Sequence, residues 1–297
     1  MSRPTIVSAL AAGGPLVSDG AWGTMLQSSG LQPGQCPELW NIEHPDRVYR
    51  IAAQYAEAGA DMLETNSFGG TRFKLQHYGV EQRCIEINEA AARLSRTAAG
   101  EQRWVLGSVG PTGKMLLLGD VTPEQLYDAF AEQVTALYHG GCDAICVETM
   151  SDVEEARLAV RAARERTPLE VIATFTFEQT VNGEYRTMMG TSPREAVAAM
   201  IDAGADIVGT NCGNGFARMI DIVREIRAAF GEIPILVHAN AGLPVHRDGA
   251  DYYSDTPQIM AELAPQLVSA GASIVGGCCG TGPQHIKAIS DAIRTAR

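Results

Sequence analysis

Seven cysteines are spread over 297 residues, and three of them are spaced as ligands rather than as staples. Cys212 closes the apolar run Ile207-Val-Gly-Thr-Asn, and the vicinal pair Cys278-Cys279 closes another, Ile274-Val-Gly-Gly. If both runs are strands ending on one rim, three sulfurs converge there. Thiolates suit zinc, which takes tetrahedral sulfur ligands at roughly 2.3 Å, and a three-ligand shell leaves one position for substrate. A thiol on zinc is deprotonated at neutral pH, so the chemistry implied is capture of a substrate thiol as a nucleophile. Gly276, Gly277 and Gly280 beside the pair let the backbone turn tightly enough to aim adjacent side chains at one ion. The competing reading is buried core cysteines or a redox pair, although vicinal cysteines make only a strained disulfide. Cys36, Cys84, Cys142 and Cys146 fall in a loop, in helices or inside a strand, without such convergence.

The elements that must carry these residues are marked by a recurring phrase: Gly59-Ala-Asp-Met-Leu-Glu-Thr-Asn, Gly141-Cys-Asp-Ala-Ile-Cys-Val-Glu-Thr, Gly204-Ala-Asp-Ile-Val-Gly-Thr-Asn-Cys and Gly271-Ala-Ser-Ile-Val-Gly-Gly-Cys-Cys. Each reads as a helix stopped by glycine and then a buried strand, too short for a helix and apolar enough to be covered on both faces. Pro15-Leu-Val-Ser-Asp, Trp104-Val-Leu-Gly-Ser-Val, Val171-Ile-Ala-Thr-Phe-Thr-Phe and Pro234-Ile-Leu-Val-His-Ala-Asn bring the strands to about eight. Helical periodicity falls between them, over 45–58, 123–138, 152–166, 193–203, 218–230, 257–270 and 283–296. Thr122-Pro123, Ser192-Pro193 and Thr256-Pro257 read as an N-cap followed by proline in the first turn.

Eight strand-helix alternations predict a single-domain (β/α)8 TIM barrel over residues 1–297, with its active site at the C-terminal strand ends. A doubly wound sheet is the alternative, but Asp19-Gly-Ala-Trp-Gly-Thr lacks the glycine spacing of a phosphate turn, and no linker composition marks a second domain. The stretches 31–44, 114–120 and 242–254 read as irregular loops lining the mouth. The net charge of −12, with no basic run, excludes nucleic acid as a partner. No apolar run approaches the ~20 residues that span a bilayer, and the N-terminus lacks a secretory pattern. An odd cysteine count in a chain this large fits a reduced, cytoplasmic setting.

Three segments, Asn211-Cys-Gly, Gly276-Gly-Cys-Cys-Gly-Thr-Gly-Pro and Asp19-Gly-Ala-Trp-Gly-Thr, resemble the signatures of the homocysteine S-methyltransferase family. The likeness runs from about Asp19 to Ile289. Glu64-Thr-Asn-Ser-Phe-Gly-Gly-Thr-Arg-Phe-Lys-Leu and Ser108-Val-Gly-Pro-Thr-Gly are most similar to the homocysteine module of the cobalamin-dependent methionine synthase branch. The resemblance implies zinc on Cys212, Cys278 and Cys279 as the catalytic centre, and homocysteine held near Asp19, Gly20 and Glu148. An amino-acid zwitterion in a partly dry pocket needs charge-assisted bonds to its ammonium, which the two acids would supply. The plainer roles are a turn former for Asp19 and a salt bridge between strands for Glu148. Ser108, Asn66 and Asn211, with Thr65, are expected to shape the substrate pocket. Asn240 stands in His-Ala-Asn-Ala-Gly where the family reads Pro-Asn-Ala-Gly, and the resemblance implies that it fills the fourth zinc position before substrate arrives. His238 reads as an inward-pointing barrel histidine satisfied by hydrogen bonds, with a proton acceptor or metal neighbour the alternative.

The relatives of that branch append folate-binding and cobalamin domains, so a methylcobalamin or other corrinoid donor is expected on a separate protein partner. The alternatives are a small donor, betaine or S-methylmethionine, or a non-catalytic zinc- and thiol-binding module, which would close its metal site with four protein ligands. An aldolase-like barrel would want lysine or paired acids at strand ends, and no strand ends in lysine.

Overall fold

The computed structural model describes residues 3–247 and 250–296. Eight parallel strands form one sheet: β1 (Leu16–Val17), β2 (Met62–Glu64), β3 (Trp104–Val109), β4 (Ala144–Met150), β5 (Glu170–Phe175), β6 (Ile207–Asn211), β7 (Ile235–Ala239) and β8 (Ile274–Gly277). They pair in the order β1-β8-β7-β6-β5-β4-β3-β2, so the last strand returns to the first. This is the barrel order, not that of a doubly wound sheet. Aspartates bridge the seam between β1 and β2, because two residues of β1 are too few for a ladder. The Asp61 N–H donates to the Val17 carbonyl at 2.7 Å and its carboxylate accepts the Val17 N–H at 2.9 Å. Nearer the mouth, the Asp19 carboxylate accepts the Glu64 N–H at 2.9 Å.

Local sequence explains the helix ends. Thr122 and Ser192 each cap a helix, at Pro123–Gly140 and Pro193–Ala203, with a reciprocal bond from the side chain three residues on. The glycine of the recurring phrase stops the same two helices at Gly141 (φ 103°) and Gly204 (φ 99°), in the left-handed region that a Cβ disfavours.

Both faces of the strands are covered, which accounts for their nearly continuous apolar sequence. Outward residues such as Leu63, Val105, Ile145, Val208 and Val275 pack against the helices. Inward residues Met62, Leu106, Cys146, Ile172, Ile207, Leu236 and Ile274 fill the barrel with Ile6. Ile6 belongs to a helix, Ile6–Gly13, for which the sequence offered no periodic signal. It plugs the N-terminal end, with the Ile6 and Val7 N–H groups donating to the Glu170 carboxylate at 2.5 and 3.0 Å.

The mouth is more ordered than the irregular loops expected. Residues 242–254 contain an antiparallel hairpin, Pro244–Arg247 with Ala250–Tyr253, and a second hairpin pairs Glu178–Gln179 with Tyr185–Arg186. No helix among the described residues is long and apolar enough to cross a membrane.

Candidate active site

Two residues beyond the apolar layer, on the same inward faces, the strands present Glu64, Ser108, Glu148, Thr174 and His238, all buried. Glu64, Ser108, Glu148 and His238 of this layer form the floor of a cavity of about 390 Å³ opening at the C-terminal strand ends. Gly20, Trp22, Phe68, Cys212, Cys278 and Cys279 form part of its walls. A depression of equal volume lies between the 178–186 hairpin and the helix Phe216–Phe230. Its charges are largely spent on each other, as in Arg186–Glu184 at 2.9 Å, and none of the cysteines lines it.

Glu148 is held at both oxygens. Ser108 Oγ donates to Oε1 at 2.5 Å, and Asn211 Nδ2 donates to Oε2 at 3.0 Å. Asn211 is fixed in turn by the Thr149 N–H and the Thr174 hydroxyl, each donating to its Oδ1 at 2.8 Å. Thr149 sits at φ 59°, and its bond to Asn211 holds that strained backbone in place. Beside this pair, Glu64 Oε1 has no hydrogen-bond partner and stands 3.4 Å from His238 Nδ1. His238 Nε2 is also without a partner, so the histidine is inward-pointing but not satisfied in the way its sequence context suggests. Ligand atoms of Glu64, Glu148 and His238 lie within 4.8 Å of one another. Burial lifts the Glu148 carboxyl to about 7 and Glu64 well above the carboxylate range, and it drops His238 to about 3, leaving the imidazole neutral.

The cysteines meet at the rim as their strands dictate, because β7 alone separates β6 from β8. Cys212 adopts φ 59° directly after β6 and is anchored by its N–H to the His238 carbonyl at 2.9 Å. Cys278 donates its N–H to Ala239 at 2.7 Å, and Thr281 closes the following turn on the Cys278 carbonyl. The three sulfurs lie within 4.8 Å of each other, with Cys212 and Cys279 3.9 Å apart. A tetrahedral ion with sulfur at roughly 2.3 Å would separate its ligands by about 3.8 Å, so the residues present fit zinc. Hydrogen bonds from the Cys212 and Cys278 thiols pull Cys279 down to about 3. Cys278 is pushed well above its ordinary value as their donor, while Cys212, pulled down by Cys278 but pushed up by Cys279 and by burial, rests at about 11. The Tyr253 hydroxyl adds a hydrogen bond to Cys279, and its ring lies against Gly280, where a Cβ would approach to 2.3 Å.

Among the residues singled out in the sequence, Gly20, Asn66, Ser108, Glu148 and the three cysteines line the cavity, together with Thr65. Gly20 is tightly enclosed: a Cβ there would meet Thr281 Oγ1 at 2.8 Å and the Tyr55 ring at 3.0 Å. Asp19 and Asn211 stand behind the wall. Asp19 accepts from Trp22 Nε1 at 3.1 Å as well as from the Glu64 N–H, and burial raises its carboxyl to about 7. Asn240 is buried, its Oδ1 unpartnered, and the next residue, Ala241, donates its N–H to the Cys279 carbonyl at 3.0 Å. Cys36, Cys84, Cys142 and Cys146 are buried elsewhere. Glu64 was not singled out for any role, although its position two residues after Met62 on an inward face was the signal for it.

The chain is similar to known proteins. A model of the homocysteine S-methyltransferase family matches residues 16–293. Methionine synthases of Mycobacterium leprae and Mycobacterium tuberculosis are 33% and 34% identical over 94% of the chain. The chain spans only 24% of the length of these curated relatives. Among solved structures, the homocysteine methyltransferase MmuM from Escherichia coli in its metallated form superposes with a TM-score of 0.76 at 25% identity, covering 96% of this chain and 98% of that one. With the family model matched over nearly its whole length, the chain belongs to the homocysteine S-methyltransferase family.

Proposed function

We propose that residues 1–297 form one homocysteine-binding domain that transfers a methyl group to the thiol of homocysteine, giving methionine, with zinc held by Cys212, Cys278 and Cys279. The observation that carries this reading is the convergence of three sulfurs at zinc spacing on the rim of a cavity whose floor is acidic. When bound, the ion would lower the pKa of a thiol entering its fourth position, making it a nucleophile at neutral pH. Asn240 Oδ1, buried and unpartnered, is our candidate for that position before substrate arrives.

The chain's own residues do the rest. Glu148, oriented by Ser108 and Asn211, receives the substrate ammonium. Asp19 acts from behind the wall by fixing the Glu64 backbone and the Trp22 ring, and Gly20 keeps the wall close to its neighbours. Thr65 and Asn66 fix the floor: the Thr65 hydroxyl accepts the Ser108 N–H at 3.0 Å, and Asn66 Nδ2 donates to the Pro37 carbonyl at 2.8 Å. Trp22 and Phe68 limit water around the reacting sulfur.

For the donor we propose a methylcorrinoid presented at the barrel mouth, since the methionine synthases are more similar in sequence than MmuM is. All seven cysteines are free thiols, in keeping with a cytoplasmic setting. Methyl transfer to homocysteine should be assayed with free methylcobalamin, a methylated corrinoid protein, betaine and S-methylmethionine. We expect slow turnover with free methylcobalamin and a large gain with the corrinoid protein, because docking positions the methyl group. Rapid turnover with betaine or S-methylmethionine and none with either corrinoid would overturn the donor. No turnover with any donor, together with a metal site that binds no thiol, would leave a zinc-binding module.

A further inference from the structure

We propose that Glu64 is a second receptor for the substrate ammonium and so sets the preference for an α-amino thiol; this rests on the homocysteine reading above. An ammonium brings three donors, all of which must be met in a partly dry cavity. Glu148 alone serves them poorly, because each of its oxygens already accepts a bond, from Ser108 and from Asn211. Glu64 lines the same cavity, is 7% exposed, and offers Oε1 with no partner. A buried carboxyl oxygen left without a donor is costly, and a ligand that brings the donor removes that cost. The Glu64 backbone is locked from both sides, its N–H donating to Asp19 at 2.9 Å and its carbonyl accepting Ser95 Oγ at 2.9 Å.

The other neighbours do not take this role. His238 Nδ1 lies 3.4 Å from Oε1 without making a hydrogen bond, so it flanks the carboxyl and leaves the acceptor open. Asp19 does not line the cavity, and its Oδ2 already receives Trp22 and Glu64. The two glutamates and His238 therefore form a cluster within 4.8 Å that holds acceptors on the cavity side and no cation of its own.

The test compares homocysteine with 4-mercaptobutyrate, the same thiol acid without the amino group, by titration calorimetry on the zinc-loaded wild type and on Glu64→Gln. Glu64→Gln should weaken homocysteine by about 10- to 100-fold while changing 4-mercaptobutyrate by less than about 2-fold; the second thiol also reports that the variant is folded. Retention of the full homocysteine preference overturns the assignment of Glu64 while leaving the reading of the site intact. Equal weakening of both thiols also overturns it and makes Glu64 structural. A wild type that binds neither thiol removes the homocysteine reading and this assignment together. Two zinc ions per wild-type chain, one of them lost in Glu64→Gln, would instead make the cluster a metal site.

Discussion

Ser108→Ala tests whether Ser108 acts through Glu148 or touches the substrate itself. Its hydroxyl donates at 2.5 Å to a carboxylate poised at about 7, and a hydrogen bond to a charged group is worth roughly 1.5–3 kcal/mol. At about 1.4 kcal/mol per unit, losing it lifts Glu148 by about one to two units. Near pH 7 the ionised fraction then falls from about half to about a tenth or less, and homocysteine affinity falls with it, by about 5- to 50-fold. The sign follows from the ammonium requiring the carboxylate, so raising the pH to about 8.5 should shrink the deficit to a few-fold. Calorimetry at the two pH values, with 4-mercaptobutyrate as the control, measures this. Ser108 lies on β3, away from the cysteine-bearing strands, so zinc content should not change. A deficit that is the same at both pH values, or shared equally by the deaminated thiol, would refute action through Glu148.

Changing Cys212, Cys278 or Cys279 to Ala should drop zinc far below one per chain, whereas Cys36→Ala, Cys84→Ala and Cys142→Ala should retain it, as measured by elemental analysis. Gly280→Ala should lower both the melting temperature and zinc retention against a chelator, because φ 80° disfavours a Cβ and the Tyr253 ring already fills its place. In the metal-free protein, Glu148 rises from an ordinary 4.5 to about 7, so its neutral form is the one the fold favours. That contribution is complete below about pH 4.5 and is lost as pH climbs through 7, by about 3 kcal/mol; urea midpoints should show Glu148→Gln lacking that part of the slope.

The barrel was legible because its signals are local. A glycine stop, a buried run and a Thr-Pro or Ser-Pro start each state their role within a few residues, as Gly204, Ile207–Asn211 and Ser192-Pro193 do. The convergence of Cys212 with Cys278 and Cys279 followed from strand order alone. Contacts between strands far apart in sequence were not legible. Asn211 reads as a pocket residue from its strand end, yet its amide is spent on Glu148, Thr149 and Thr174. Asp19 reads as an ammonium receptor, yet β1 is so short that its carboxylate is drawn into the seam with β2. Glu64 shows the converse: it stands in a family motif, while its chemistry lies in the alternation of inward and outward faces. The hairpin over 244–253 hides in a sequence whose centre, Arg247-Asp-Gly-Ala-Asp, carries charge and a glycine, where turn chemistry resembles that of an open loop.

X-ray absorption at the zinc edge tests the central claim most directly, because it counts sulfur neighbours around the ion with and without homocysteine. Three sulfurs and one lighter ligand should surround the ion in the resting protein, becoming four sulfurs at roughly 2.3 Å when homocysteine is added. Four sulfurs before substrate, or three that stay three at saturating homocysteine, would contradict it.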